Sequence, residues 1–398
     1  MVRRLLVFVL LAVCAVSVAS PVHADTCAEP GPEFKSVPWQ QQMLGPSRVW
    51  PLTRGGGVTV AVLDSGVDAA HPRLAGRVAA GFDALAGSGV ANTDCLGSGT
   101  QVAGVIAGTP NDTSGFAGVA PGVTILPVRV ITQRPSLGQT VSPAVLAKAI
   151  TYAVEQKADV IDVSVPTYLD DPAVRLAVAS ALAKQIVVVA AVGDLGGANG
   201  ANPPPFPASY PGVLGVGAID ENGTRLQSSQ YGRFVDLVAP GAAVWTLQRG
   251  GGMVSVDGTG VASGFVSAAA ALVRSRGGAP NVVQQLLATA TPAGGGSAEY
   301  GRGIVNPEAA VSDHLVAAAP RTLPSVGGPS PAGASVWERS RRWALIWTGV
   351  AFGAMLVVFT VAVALPRARR RRWRAAEAPA PRERSEPDEP GPPVLLFD

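Results

Sequence analysis

The chain has 398 residues, 47 % of them hydrophobic and only 15 % charged, with 47 Gly and 34 Pro scattered among apolar runs in no fixed period. That length suffices for one large α/β domain with appendages, and the composition excludes collagen-like and wholly disordered chains. The formal net charge of +3 comes from Arg3, Arg4 and an Arg-rich end, so the middle offers no basic face for a polyanion, and no nucleic-acid partner is expected.

Arg3 and Arg4 precede an apolar run from Leu5 to about Val18, and Val22-His23-Ala24 puts small residues where a signal peptidase reads. Residues 1–24 are therefore predicted to be a secretory signal. Cys14 leaves with it. Cys27 and Cys95 then form an even pair in an oxidising compartment, which predicts a disulfide, with two free thiols as the alternative. A bridge would close a loop of roughly 70 residues and tie an irregular arm, residues 25–56, to the domain; in the chain-entropy model it stabilises by about 3–4 kcal/mol.

Residues 57–319 alternate short β-branched runs with helical stretches. Val58–Leu63, Val123–Val130, Val160–Val165, Ile186–Ala191 and Val213–Ala218 read as strands apolar on both faces. Pro143–Gln156 and Pro172–Lys184, each opened by proline, carry apolar residues at helical spacing. The pattern predicts an α/β fold, a parallel sheet covered by helices on both faces, with sites at the carboxyl ends of the strands. Residues 320–342 read as a Pro/Gly-rich linker.

Trp343–Leu365 is 23 residues without a charge, about 34 Å as a helix, enough to cross a bilayer. Arg339, Arg341 and Arg342 precede it, and the larger cluster Arg367, Arg369–Arg372 and Arg374 follows. The larger cluster stays cytoplasmic by the positive-inside rule, which puts the bulk of the chain outside a cell membrane that it spans once. Residues 366–398 form a basic, then disordered, cytoplasmic tail. There is no internal repeat, no phosphate-binding glycine loop and no Cys/His cluster at metal spacing, so neither cofactor nor metal is expected.

Val60-Ala61-Val62-Leu63-Asp64-Ser65-Gly66-Val67-Asp68, followed by His71-Pro72, resembles the aspartate motif of subtilisin-like serine proteases, the subtilases of peptidase family S8. Further matches follow in the family's order: Gly118-Val119-Ala120-Pro121, Leu126-Pro127-Val128-Arg129-Val130, Pro207–Val213, Val235–Gly241 and Tyr300–Pro307. The resemblance implies the subtilisin-like three-layer fold. The arm with Pro38-Trp39 and Trp50-Pro51, the cysteine pair and the membrane helix with its Arg-rich inner flank are similar to the mycosins, membrane-anchored subtilases of type VII secretion systems. Subunits of such a membrane complex are the partners this likeness implies.

A subtilase needs a serine to attack the carbonyl, a histidine to take its proton and an aspartate to orient the histidine. Asp64 matches the aspartate. The family's histidine motif is matched by Gly97-Ser98-Gly99-Thr100-Gln101-Val102-Ala103-Gly104, with Ser98 in the base's place, and its nucleophile motif by Gly258-Thr259-Gly260-Val261-Ala262-Ser263-Gly264, with Gly260 in the nucleophile's place. The helix through Leu272 keeps the family's small-residue pattern. No intact triad is therefore expected. The oxyanion-hole asparagine is matched by Asp194, which cannot donate a hydrogen bond unless protonated, although some subtilases tolerate aspartate there. The substrate-pairing strand is matched by Asp162-Val163-Ser164-Val165-Pro166, and Pro166 has no N–H to offer a substrate.

His23 falls in the signal, His314 lies beyond the closing motif, and His71 holds a position that ordinary subtilases do not use in catalysis. Ser98 cannot take a proton near neutral pH, and Ser263 has no base. Three readings follow. One is a pseudoprotease serving as a structural or interaction part of a type VII secretion complex. Another is an active serine endopeptidase with an atypical nucleophile such as Ser98 or Ser263. The third is a non-catalytic peptide- or cell-wall-binding module. Whether the chain is an enzyme stays open at this point, with the balance against.

Overall fold

A computed structural model describes residues 27–111, 114–133, 141–197, 202–277, 281–312 and 332–370. The expected signal, Cys14, His23, His314, much of the expected linker and the tail from residue 371 onward lie outside the described residues. The chain divides into two units, Met1–Ala317 and Ala318–Asp398.

The arm of the first unit is more regular than its composition predicts. Pro38 fixes the entry into a short helix, α1 (Trp39–Leu44), which stops where Gly45 turns left-handed at φ 52°. The β-branched runs form β1 (Thr59–Asp64), β2 (Phe82–Asp83), β3 (Thr124–Arg129), β4 (Val160–Val163), β5 (Val187–Ala191), β6 (Leu214–Ile219) and β7 (Leu237–Pro240). They make one sheet in the order β2-β3-β1-β4-β5-β6-β7, and every pairing in it is parallel. β4 ends two residues earlier than its apolar run, because Pro166 cannot supply a ladder N–H.

Helices cover both faces: α2 (Ser98–Ala107), α3 (Pro143–Glu155), α4 (Pro172–Ala183) and α5 (Thr259–Ser275). Strand residues alternate between two cores. Val60 and Val62 pack with α2 and α5; Ala61 and Leu63 pack with α3 and α4. This is why the strands read as continuous apolar runs. α5 is buried on 14 of its 17 residues, and only small side chains such as Ala268–Ala271 allow a helix so enclosed to lie close against a sheet. The fold is thus the subtilisin-like α/β arrangement expected from the sequence.

A hairpin, β8 (Val244–Leu247) with β9 (Met253–Val256), stands apart from the sheet. The arm lies on it: Met253 N donates to Pro32 O at 2.9 Å, Gly31 N to Gly251 O at 3.0 Å, and Phe34 stacks on Trp245 with centroids 4.2 Å apart. Cys27 and Cys95 are disulfide-bonded with Cα atoms 4.5 Å apart. Short helices α6 (Val282–Ala288), α7 (Ser297–Tyr300) and α8 (Pro307–Ser312) end the described part of this unit.

The described residues of the second unit form a helix, α9 (Ala332–Arg370), of 39 residues. Its segment Ser340–Arg367 is long and apolar enough to cross a membrane. The helix starts inside the stretch expected as linker, 320–342, and passes the end of the apolar run at Leu365. Elongating an existing helix costs little, and the Ala and Arg residues that flank the run are good helix formers.

Candidate functional site

The carboxyl ends of β1, β4 and β5 open onto a cleft of about 310 Å³ that also takes in the first turns of α2 and α5. Asp64, Ser98, Ser164, Asp194, Gly260 and Tyr168 line it. Every position matched to the family's catalytic machinery therefore reaches one place. Val165 and Pro166 line the same cleft.

Asp64, the last residue of β1, is buried at 2 % exposure. Its carboxylate is held from three sides: Ser98 Oγ donates to Oδ1, Ser164 Oγ donates to Oδ2, and Ser65 N donates to Oδ1 at 2.7 Å. Burial raises the Asp64 carboxyl above the usual carboxylate range, while the two hydroxyls pull it the other way. Asp64 thereby joins β1, the start of α2 and the end of β4.

The start of α2 has no capping side chain of its own, since Gly97 precedes it. Asp94 does that work from the loop: it accepts Gly97 N at 2.8 Å, Thr100 N at 2.9 Å and the Ser65 hydroxyl at 2.8 Å. Ser65 Oγ lies 3.0 Å from Ser98 Oγ, so Asp94 and Ser65 hold Ser98 in place. Sequence reasoning missed Asp94, although an acidic residue just ahead of a helix start is a capping signal.

α5 presents the same problem and a parallel solution. Its cap is Gly258, which offers no side chain, and Asp194 supplies the acceptor, taking Thr259 N at 2.9 Å. Thr259 Oγ1 in return accepts Gly193 N at 3.0 Å. Asp194 is exposed as a residue, yet desolvation of its carboxyl end pushes it up to about 6, against the pull of the Thr259 amide and hydroxyl. At pH 7 it is therefore mostly ionised, an acceptor where an oxyanion would need a donor. Tyr168, also missed from the sequence, closes the wall beneath it: a Cβ on Gly193 would lie 2.3 Å from the Tyr168 hydroxyl.

Gly260, the second residue of α5, faces the carbonyl of Ser164. Ser263 is fully buried, and its hydroxyl donates to Gly260 O at 2.8 Å, which leaves it without access to the cleft. Ser98 is half-buried and does line the cleft. His71 is buried away from the cleft, where Nδ1 accepts Arg73 N at 3.1 Å, and burial lowers its pKa. Among the described residues, no group of three side chains is placed to hold a metal ion.

Comparison with known proteins agrees with this geometry. The model of the subtilase family of S8 peptidases matches residues 55–305. Thermitase of Thermoactinomyces vulgaris is 33 % identical over 281 residues, 70 % of this chain and 98 % of its own. Mycosin-4 of Mycobacterium tuberculosis is 34 % identical over 402 residues, 88 % of this chain and 87 % of its own. Among solved structures, MycP1 from the ESX-1 type VII secretion system superposes with a TM-score of 0.65 at 28 % identity, covering 75 % of this chain and 93 % of its own. The MycP3 protease of the type VII (ESX-3) system gives 0.60 at 32 %, covering 72 % and 91 %.

Proposed function

Since the chain belongs to the subtilase family and is mycosin-like within it, we propose that it is a pseudoprotease: secreted, anchored in the cell membrane by α9, and serving as a structural or interaction component of a type VII secretion membrane complex. One observation carries the reading. A cleft lies at the carboxyl ends of the strands, yet the positions matched to the base and nucleophile hold Ser98 and Gly260, and the Asp64 carboxylate is taken up by serine hydroxyls. Serine is no general base near neutral pH, and glycine has no side chain to attack with.

The organisation that goes with this reading is a signal over residues 1–24, an arm over 25–56, the catalytic-type domain over 57–319, a linker, one span and a cytoplasmic tail. The cluster of arginines after the span supports an outside domain. The mycosin likeness supports the choice of partner.

A second reading, an active peptidase with Ser98 as nucleophile, is favoured by the contact between Ser98 Oγ and Asp64 in the cleft. It is weakened by the same network, because a carboxylate that accepts three donors is a poor base. A fluorophosphonate probe applied to the full chain in membranes tests the two. No labelling is expected; specific labelling lost in Ser98→Ala would establish the second. Affinity purification from native membranes should bring down secretion-complex subunits, and their absence would remove the proposed partner.

A further inference from the structure

β4 carries a carboxyl group where a sheet between two helical layers ordinarily buries hydrocarbon. Asp162 is fully buried, and its register partners are Val62 of β1 and Val189 of β5. It points to the face that α5 covers. There Ser267 Oγ donates to Oδ1 at 2.7 Å, while Oδ2 has no hydrogen-bond partner. Among the described residues, no positive charge acts on it. α5 has no charged residue from Thr259 to Val273, and β5 has none at all. α5 adds the Ser263 and Ser267 hydroxyls, and β1 adds Asp64, a group of the same sign.

An ionised Asp162 would place charge in a fully buried seam, on a carboxyl whose Oδ2 meets no donor at hydrogen-bonding distance, with Asp64 adding charge of the same sign. Burial without a partner and like-charge repulsion both oppose that state. A protonated Asp162 removes the charge. We propose that Asp162 is a proton-linked latch in the seam between β4 and α5: the folded chain holds a proton on this carboxyl that the unfolded chain gives up, so acid tightens the seam and its loss loosens it. This goes beyond the missing peptidase chemistry, because neither Asp162 nor Ser267 lines the cleft. The seam is nonetheless the cleft's floor, since Ser164 follows β4 and meets Gly260 of α5.

The sign of the effect follows from linkage. Burial pushes the carboxyl up to about 7 from an ordinary 3.8. A group raised in the folded state stabilises fully below its unfolded value, loses that stabilisation as pH rises through the folded value, and contributes nothing further above it. The window is therefore about pH 4 to 7. A shift of about three units corresponds to a change on the order of a thousandfold in the folding equilibrium.

The test is urea unfolding of the full chain in detergent from pH 4 to 8, wild type against Asp162→Asn. Asparagine keeps the shape, puts an N–H₂ where one oxygen stood and has no proton to lose. The ratio of folding constants, variant to wild type, should climb by hundreds to a thousandfold between pH 4 and 7 and then level off. Asp194 and Asp236 are raised as well, but they titrate in both proteins and cancel from the ratio; Asp64, which feels the charge of Asp162, alters the size of the step and not its direction. A ratio constant from pH 4 to 8 overturns the proposal. If Asp162→Asn fails to fold, Ser267→Ala serves: losing the donor to Oδ1 should move the wild-type step to higher pH, and an unmoved step overturns the proposal equally.

Discussion

The carbonyl oxygen of Ser164 stands 2.7 Å from the point that a Cβ on Gly260 would occupy. Gly260 does not need its glycine for backbone conformation, as its φ lies outside the left-handed region. The constraint is contact: the end of β4 and the start of α5 approach too closely for any side chain. Gly260→Ser should therefore destabilise by about 1–3 kcal/mol, in the range of overpacked sites. Gly260→Ala should cost the same, because the Cβ and not the hydroxyl causes the collision. Urea midpoints measure both, and a serine variant as stable as wild type would mean that the backbone at Ser164 yields freely.

Ser98→Ala and Ser164→Ala each remove one hydroxyl from a buried carboxylate. Each should cost about 1–3 kcal/mol, the range for leaving a buried acceptor unsatisfied. Because these donors favour the charged form of Asp64, their loss raises an already raised carboxyl further. Stability then falls more steeply with rising pH, so the cost should be greater at pH 8 than at pH 5. Equal costs at the two values would show that Asp64 does not depend on these hydroxyls for its charge.

The disulfide fixes the arm at a consequential point, one residue after Asp94, which organises the start of α2. Ala28 N donates to Cys95 O at 2.8 Å, and Gln248 Nε2 donates to Glu29 O at 2.8 Å. Replacing both cysteines by serine should lower stability by about 2–4 kcal/mol and expose the arm around Pro30–Lys35 to added protease. Thermal melts with and without reductant give the check: wild type should respond to reductant, the variant should not.

What could be read from the chain alone follows physical lines. The parallel sheet was legible because strands buried on both faces, such as Val60–Leu63 and Val187–Ala191, have continuous apolar sequences that need no partner to be recognised. Asp64, Ser98 and Gly260 were legible because the residues around each keep a spaced motif of the family, although Ser98 and Gly260 themselves differ from it. β2 and the hairpin β8–β9 were not, since β2 has only two residues and the hairpin strands, Val-Trp-Thr-Leu and Met-Val-Ser-Val, carry polar residues and no continuous apolar run. The capture of Asp64 by Ser164 joins residues 100 positions apart, the hold of Asp94 on Ser65 joins residues 29 apart, and Tyr168 meets Gly193 only through the fold, so no local pattern speaks for these contacts. Neither does a sequence show that Oδ2 of Asp162 lacks a donor.

The proposed orientation makes a separate claim. If the arginine cluster after Leu365 holds the C-terminal end inside, a green fluorescent reporter fused after Pro393 should fluoresce, and alkaline phosphatase at the same place should be inactive. Protease added to intact cells should remove the domain while sparing the reporter. An active phosphatase fusion would reverse the topology and, with it, the expectation of an outside domain.

Restoring chemistry is the severest trial of the pseudoprotease reading. In subtilisin the nucleophile and base act as a unit, and losing either alone costs nearly as much as losing the whole triad, on the order of 10⁶ in kcat. Ser98→His or Gly260→Ser alone should therefore leave peptide hydrolysis at background. The double variant gains a base facing Asp64 and a nucleophile, but the serine must first displace the Ser164 carbonyl. Asp194 also still opposes the oxyanion: with its carboxyl at about 6 it is mostly charged at pH 7, and losing the donor at this place costs about 3–4 kcal/mol in subtilisin. Lowering the pH protonates Asp194 and lets it donate, yet the same change protonates the new histidine, whose unperturbed value is about 6.5. The double variant should thus show at most weak activity, confined to a narrow band near pH 6–7. Adding Asp194→Asn supplies a donor that does not titrate, and the triple variant should be the first with measurable turnover, its activity holding as pH rises above 7. Pro166 will still withhold one hydrogen bond from substrate, so turnover should stay far below that of thermitase assayed alongside. Substantial hydrolysis by the unmodified chain, abolished by Ser98→Ala, would overturn the reading, because it would make the pair Ser98 and Asp64 a working dyad.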